Sequence, residues 1–144
     1  MKVFISSQVD EESREIVRAL RAMLSERNFE PFSLGDEILS GDKFHVVRQD
    51  GLEQCDALLV IFNRELSSYQ QSEVNHFMRQ ALRATVRKPI IPIVKPSSVD
   101  LFARSRLADY LPIVVGESNL PIRKQLEPVL ARLATAGSGV EYTA

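Results

Sequence analysis

Cysteine is nearly absent from this chain: Cys55 stands alone among 144 residues, so no disulfide can form within it. Long apolar runs are missing too. The longest, from Ala57 to Phe62, falls far short of the roughly 20 residues a membrane-spanning helix needs. Neither sign of charge is in excess. The 18 Lys and Arg face 19 Asp and Glu, and a net charge of −1 gives no global attraction to nucleic acid or to an anionic membrane. The sequence opens directly into a strand-like run, so no signal peptide is expected. No Cys or His cluster has metal-ligand spacing, and one cysteine cannot supply one. A protein of the reducing cytoplasm, with no metal and no membrane, is the expectation.

What is present fits one globular domain. The length suffices to bury a core, and 44% hydrophobic residues is near the globular average. Short β-branched runs alternate with amphipathic stretches, which predicts βαβ units and a parallel sheet. Strands are expected at 2–6, 29–33, 57–62, 89–94 and 111–115, with Pro31 suited to an edge. The unbroken apolar run 57–62 is that of a strand covered on both faces. A first helix starts near Asp10 and turns Ile16, Leu20, Met23 and Leu24 inward. The glycine-bearing stretch 34–42 reads as an exposed loop, and a second helix is expected over 43–54. A third starts on a capping box with Ser68 at the N-cap and Gln71 reaching back. Its apolar stripe is Val74, Phe77, Met78, Ala81 and Leu82. A loop with a short helix precedes strand five, and a last helix carries Ile122, Leu126, Val129, Leu130 and Leu133. The expectation is a flavodoxin-like α/β three-layer sandwich over 1–135, five parallel strands in the order 2-1-3-4-5, with 136–144 a flexible tail.

In such a sheet the ligand crevice lies at the carboxyl ends of the strands where the order reverses. Here that is the loop after strand one (Ser6, Ser7, Gln8) and the loop after strand three (63–68). The third helix leaves the second of these loops. Tyr69 and Glu73, four residues apart, share one of its faces. A carboxylate beside an aromatic ring in a cleft can hold a ribose while the ring covers a heteroaromatic group. An acid in a helix's first turns equally serves the macrodipole, so spacing alone leaves both readings open.

A phosphoacceptor receiver domain needs an aspartate after strand three and an acidic pair after strand one; Phe62-Asn63 and Ser6-Ser7 stand there instead. A phosphate-cradling loop needs glycines, and the loop after strand one has none. Over roughly 2–133 the chain resembles the TIR (Toll/interleukin-1 receptor) domain family. Val3-Phe4-Ile5-Ser6-Ser7 followed by Asp10 resembles the first-strand motif, with Ser7 where an aromatic or histidine is usual. The run from Glu37 to Asp42 resembles the BB loop, with Gly41 at the turn and Ser40 in place of the common proline. Leu52-Glu53-Gln54-Cys55-Asp56 resembles the lead into strand three, Cys55 replacing serine. The stretch Ser67-Ser68-Tyr69-Gln70-Gln71-Ser72-Glu73 resembles the family's S-x-W-x-x-x-E, with Tyr69 for tryptophan.

The resemblance implies an NAD+-cleaving enzyme of the bacterial kind, with Glu73 catalytic and Ser6, Ser7, Phe44 and Tyr69 lining the substrate site. The product would be ADP-ribose or a cyclic relative, used in immune (antiphage) defence. NAD+ is then a substrate, and no cofactor is implied. Leu39 and Gly41 of the BB loop (34–44) would mediate self-association or docking to other TIR domains.

Two rivals stand beside this reading. A non-enzymatic TIR signalling module would bind other TIR domains only; Glu73 speaks against it, and Tyr69 in place of tryptophan speaks for it. A nucleoside deoxyribosyltransferase-like enzyme would use a glutamate on free nucleosides. Other conspicuous residues have plainer uses. His45 reads as a solvated histidine, His76 as one that flanks the apolar stripe, with a surface role favoured over an approach to the site, and Cys55 as a small packing residue. Arg79, Arg83, Arg87 and Lys88 read as a solvated helix face, and Glu11, Glu12 and Glu15 as helix-start charges.

Overall fold

Alternating side chains decide how this sheet is covered. A computed structural model describes residues 1–8, 10–33, 52–84, 88–116 and 119–137. Strands β1 (Lys2–Ser6), β2 (Glu30–Phe32), β3 (Ala57–Phe62), β4 (Ile90–Val94) and β5 (Ile113–Val114) form one parallel sheet in the order β2-β1-β3-β4-β5. This is the expected topology. Val3, Ile5, Leu59, Ile61, Ile91 and Ile93 face one side, where helices α1 (Glu11–Glu26) and α4 (Ile122–Gly137) cover them. Phe4, Leu58, Val60, Phe62 and Val94 face the other. There they meet Val74 and Phe77 of α2 (Ser68–Arg83) and Phe102 of the short α3 (Val99–Ala103). Every residue of β3 is buried, as its uninterrupted apolar sequence requires.

Three details differ from the sequence expectation. Strand β5 is two residues long rather than five. Pro112 has no N–H to give to the ladder, so pairing starts at Ile113, and Leu111 lies 72% exposed before it. Leu82, expected on the inward stripe of α2, is 87% exposed, because the stripe has rotated out of the core by the last turn. The N-cap of α2 is Ser67 and its capping partner is Gln70, one residue earlier than expected. Pro31 does sit on the edge strand β2. Of the second helix only Leu52 to Gln54 is described, with Leu52 buried; the rest of it and the loop before it lie outside the described residues. The last helix continues to Gly137, and 138–144 also lie outside them. Among the described residues no helix is long and apolar enough to cross a membrane.

Helix α1 begins on Asp10, whose carboxylate accepts from the Ser13 backbone N–H at 2.8 Å and from the Ser13 hydroxyl at 3.0 Å. Partial burial pushes this carboxyl up, but the two Ser13 bonds and the Arg64 guanidinium outweigh it and hold it below its ordinary value of 3.8. A depressed folded-state pKa stabilises the fold above the unfolded value and loses that contribution as the pH falls through the folded one. Asp10→Ala should therefore cost about 0.5–2 kcal/mol at neutral pH. In denaturant titrations that deficit should shrink as the pH is taken below 3.8; a deficit independent of pH would contradict this account of the cap.

Candidate active site

The carboxyl ends of β1 and β3 meet the amino end of α2. Ser6, the last residue of β1, pairs with Val60 of β3, and its side chain shares the α2-facing side with Phe4. Gln70 and Glu73 stand three residues apart on α2, on the face turned to the sheet, and both are buried. Glu73 is 4% exposed, and its Oε1 accepts a hydrogen bond from Ser6 Oγ at 3.2 Å. A carboxylate taken this far from water is costly unless hydrogen-bonded, and Ser6 is one of the partners that meet the need.

Gln70, with no exposed surface, occupies the gap beside this pair. Its Nε2 donates to Ile61 O at 3.0 Å and to Ser6 O at 3.5 Å. Its Oε1 accepts from Ser67 N at 3.3 Å, while Ser67 Oγ accepts from Gln70 N at 3.2 Å. Tyr69, one residue before Gln70, is 59% exposed and presents its ring to solvent. Ser7 is half-buried in the loop after β1.

A second network holds the two crevice loops together. Arg64 Nε donates to Gln8 Oε1 at 2.6 Å, Gln8 Nε2 donates to Glu65 O at 2.6 Å, and an Arg64 terminal nitrogen lies 3.4 Å from Asp10. Asn63 Nδ2 donates to Ser13 Oγ at 2.8 Å, and Ser98 donates to the Asn63 carbonyl. On the α1 side an open cleft of about 340 Å³ is lined by Asp10, Glu11, Glu12, Asn63, Arg64 and Lys95. Its charges are paired, with Lys95 Nζ 2.6 Å from Glu12, Arg64 on Asp10, and Glu11 on Arg14 outside the lining. This cleft lies beyond the carboxyl ends of β3 and β4, beside the start of α1, and Glu73 is not among its lining residues. The buried, hydrogen-bonded carboxylate of Glu73, rather than the exposed charges of the cleft, has the features of a reactive group.

The structure thus brings together Ser6 and Glu73, with Ser7 in the adjoining loop and Tyr69 on the first turn of the same helix. Phe44, Leu39 and Gly41 lie outside the described residues. The sequence pattern points neither to the buried contacts of Gln70 nor to the ties of Arg64 to Gln8 and Asp10. Only the tie of Gln70 to Ser67 is legible in principle, because Ser67-x-x-Gln70 and Ser68-x-x-Gln71 are overlapping capping-box patterns. His76 is not a simple surface group, since its Nε2 is buried without a hydrogen bond, 3.8 Å from Glu53 Oε1. Lys88 likewise donates to Cys55 O at 3.1 Å instead of standing in solvent. Among the described residues no group of three or more His, Cys, Asp or Glu is placed to hold a metal ion.

A doubly wound parallel sheet with a hydrogen-bonded carboxylate beside its switch point defines the class, an α/β protein of flavodoxin-like topology. Comparison with known proteins gives the family. The family model described as "TIR domain" matches residues 3–126, and the chain belongs to that family. Among solved structures, the TIR domains of the activated Roq1 resistosome recognising the effector XopQ superpose with a TM-score of 0.70 at 14% identity, covering 92% of this chain and 98% of theirs. The CMP N-glycosidase BcmB of Clostridium botulinum gives 0.64 at 15% identity, covering 92% of this chain and 99% of its own. A 2-deoxyribosyltransferase of Bacillus psychrosaccharolyticus gives 0.54 at 13%, covering 87% and 96%. At such identities these likenesses establish a common fold. No curated protein matches the chain by sequence.

Cys55 is buried ahead of β3, and desolvation, helped by the neighbouring Asp56 carboxylate, pushes its thiol up to about 12. The thiolate is the reactive form, so the folded protein should resist iodoacetamide at pH 8 and become alkylated promptly in denaturant. Equal rates in the two states, followed by mass spectrometry, would show the thiol to be accessible and ionised.

Proposed function

We propose that the chain cleaves the bond between nicotinamide and ribose in NAD+, with Glu73 as the catalytic carboxylate. The observation that carries this reading is the buried Glu73 side chain, held by the Ser6 hydroxyl at the carboxyl ends of β1 and β3. In the reaction the C1′–N bond breaks and its electron pair goes to the ring nitrogen, neutralising the pyridinium and releasing nicotinamide. Water then adds to C1′ and gives up a proton, leaving ADP-ribose; attack by a nucleophile of the same molecule gives a cyclic product instead.

Nicotinamide leaves as a neutral group and needs little acid assistance. The demand falls on the ribosyl cation that develops at C1′. A fixed carboxylate in a water-poor site stabilises that charge better than solvent does, because it needs no reorganisation as the charge appears. Glu73 also grips the ribose hydroxyls, Tyr69 covers the nicotinamide ring, and Ser7 and Phe44 line the mouth. Ser6 has a different share: its hydroxyl is engaged on Glu73 and fixes the orientation of the carboxylate. Self-association through the BB loop, Leu39 and Gly41 included, completes the working site, and immune defence is the setting that family membership suggests.

A second reading is supported by the fold neighbours, two of which are named as a CMP N-glycosidase and a 2-deoxyribosyltransferase. The same carboxylate would then act on the N-glycosidic bond of a simpler nucleotide or nucleoside. A TIR module that only docks is the non-enzymatic alternative.

Chromatography of NAD+, CMP and deoxynucleosides incubated with the protein over a wide range of protein concentrations separates the three. Nicotinamide release rising with protein concentration is expected. Glu73→Gln, which keeps shape and removes charge, should lower kcat by at least about 10²-fold with circular dichroism unchanged. Turnover of NAD+ by that variant at the parental rate would remove Glu73 from the chemistry.

A further inference from the structure

Glu73 cannot orient itself, and Ser6 alone leaves open what sets the distance between helix and sheet. The backbone of β1 ends at Ser6, that of β3 runs through Ile61, and α2 starts at Ser67; three separate segments must be fixed relative to one another. One side chain touches all three. Gln70 donates from Nε2 to the carbonyls of Ser6 and Ile61 and accepts on Oε1 from the Ser67 N–H. It is fully buried, so water cannot replace these partners. It stands three residues before Glu73, on the same face of the helix.

We infer that Gln70 is a positioning residue for the reaction: its amide locks the first turn of α2 onto the ends of β1 and β3, and so sets where the Glu73 carboxylate meets the Ser6 hydroxyl. The inference rests on the reading of Glu73 as the carboxylate that faces the ribosyl cation. An ordinary capping residue needs only the helix side of these contacts. The two strand carbonyls are what a cap does not require, and they belong to the residue that holds Glu73 and to the strand beside it. A shift of the helix start by a fraction of an ångström would leave the fold intact and move the carboxylate off the ribose.

The test compares Gln70→Met, which keeps length and volume but removes donor and acceptor, with Ser67→Ala, which weakens the same helix start and leaves the strand carbonyls paired. Both are assayed at a temperature where each is folded by circular dichroism. Gln70→Met should lose at least roughly tenfold in kcat for NAD+ with KM within about twofold, because the geometry of the reacting groups is what changes. Ser67→Ala should keep the parental kcat. A second readout needs no turnover: the ¹³C carboxyl resonance of Glu73, assigned by its loss in Glu73→Gln, should move in Gln70→Met and stay in Ser67→Ala. A parental kcat or an unmoved resonance in Gln70→Met overturns the inference, as does an equal effect of Ser67→Ala. Parental protein that releases no nicotinamide overturns the NADase reading instead, and the resonance then decides the positioning role by itself.

Discussion

The hydrogen bond from the Ser6 hydroxyl to the Glu73 carboxylate is the contact on which the functional account depends. It joins the end of the first strand to the second turn of a helix 67 residues later, across the point where the strand order reverses. A carboxylate withdrawn from water is a liability to folding unless polar groups meet it. Held in place, it is also the group best suited to a positive charge that exists only in a transition state. On the proposed reading of Glu73, the fold accepts the first consequence in order to have the second. Such a compromise is common where a site overrides the ordinary rule that charges stay on the surface.

The rest of the architecture keeps that contact in register. β3 is buried along its whole length and pairs on both sides, so the two strands that flank the crevice have little freedom to slide. Gln70 ties their ends to α2, and the Arg64–Gln8 bond with its Asp10 neighbour closes the opposite side of the same loops. A stable pair of central strands and a hydrogen-bonded rim together fix the geometry around Glu73, which is what the proposed catalysis by positioning would require. The open cleft beside the start of α1 is lined by exposed charges and lacks a buried carboxylate of this kind.

Much of this was legible in the sequence, and the failures have identifiable causes. β3 and the last helix fall where their apolar patterns put them, because burial on two faces or on one stripe leaves few alternatives. Asp10 was readable as a helix start because acid and side-chain cap coincide there. The start of α2 was misread by one residue, since Ser67 and Ser68 offer equivalent capping boxes and only packing against β1 and β3 chooses between Gln70 and Gln71. β5 was read too long because Leu111 is apolar, although Pro112 prevents its pairing. Topology puts Glu73 near the carboxyl ends of β1 and β3, where its side chain meets Ser6, but its burial and that tie depend on a contact across 67 residues that no local pattern encodes. The capping pattern makes the tie of Gln70 to Ser67 legible, but not its bonds to the carbonyls of Ser6 and Ile61, which lie on two other elements.

The most direct trial of the central claim is a crystal structure of the protein with carba-NAD+, whose nicotinamide–ribose bond does not hydrolyse. The account predicts ring hydroxyls of the nicotinamide-bearing sugar within roughly 2.6–3.2 Å of the Glu73 carboxylate, beside the ends of β1 and β3. Density for the ligand in the cleft above α1, with Glu73 still enclosed and out of its reach, would contradict it.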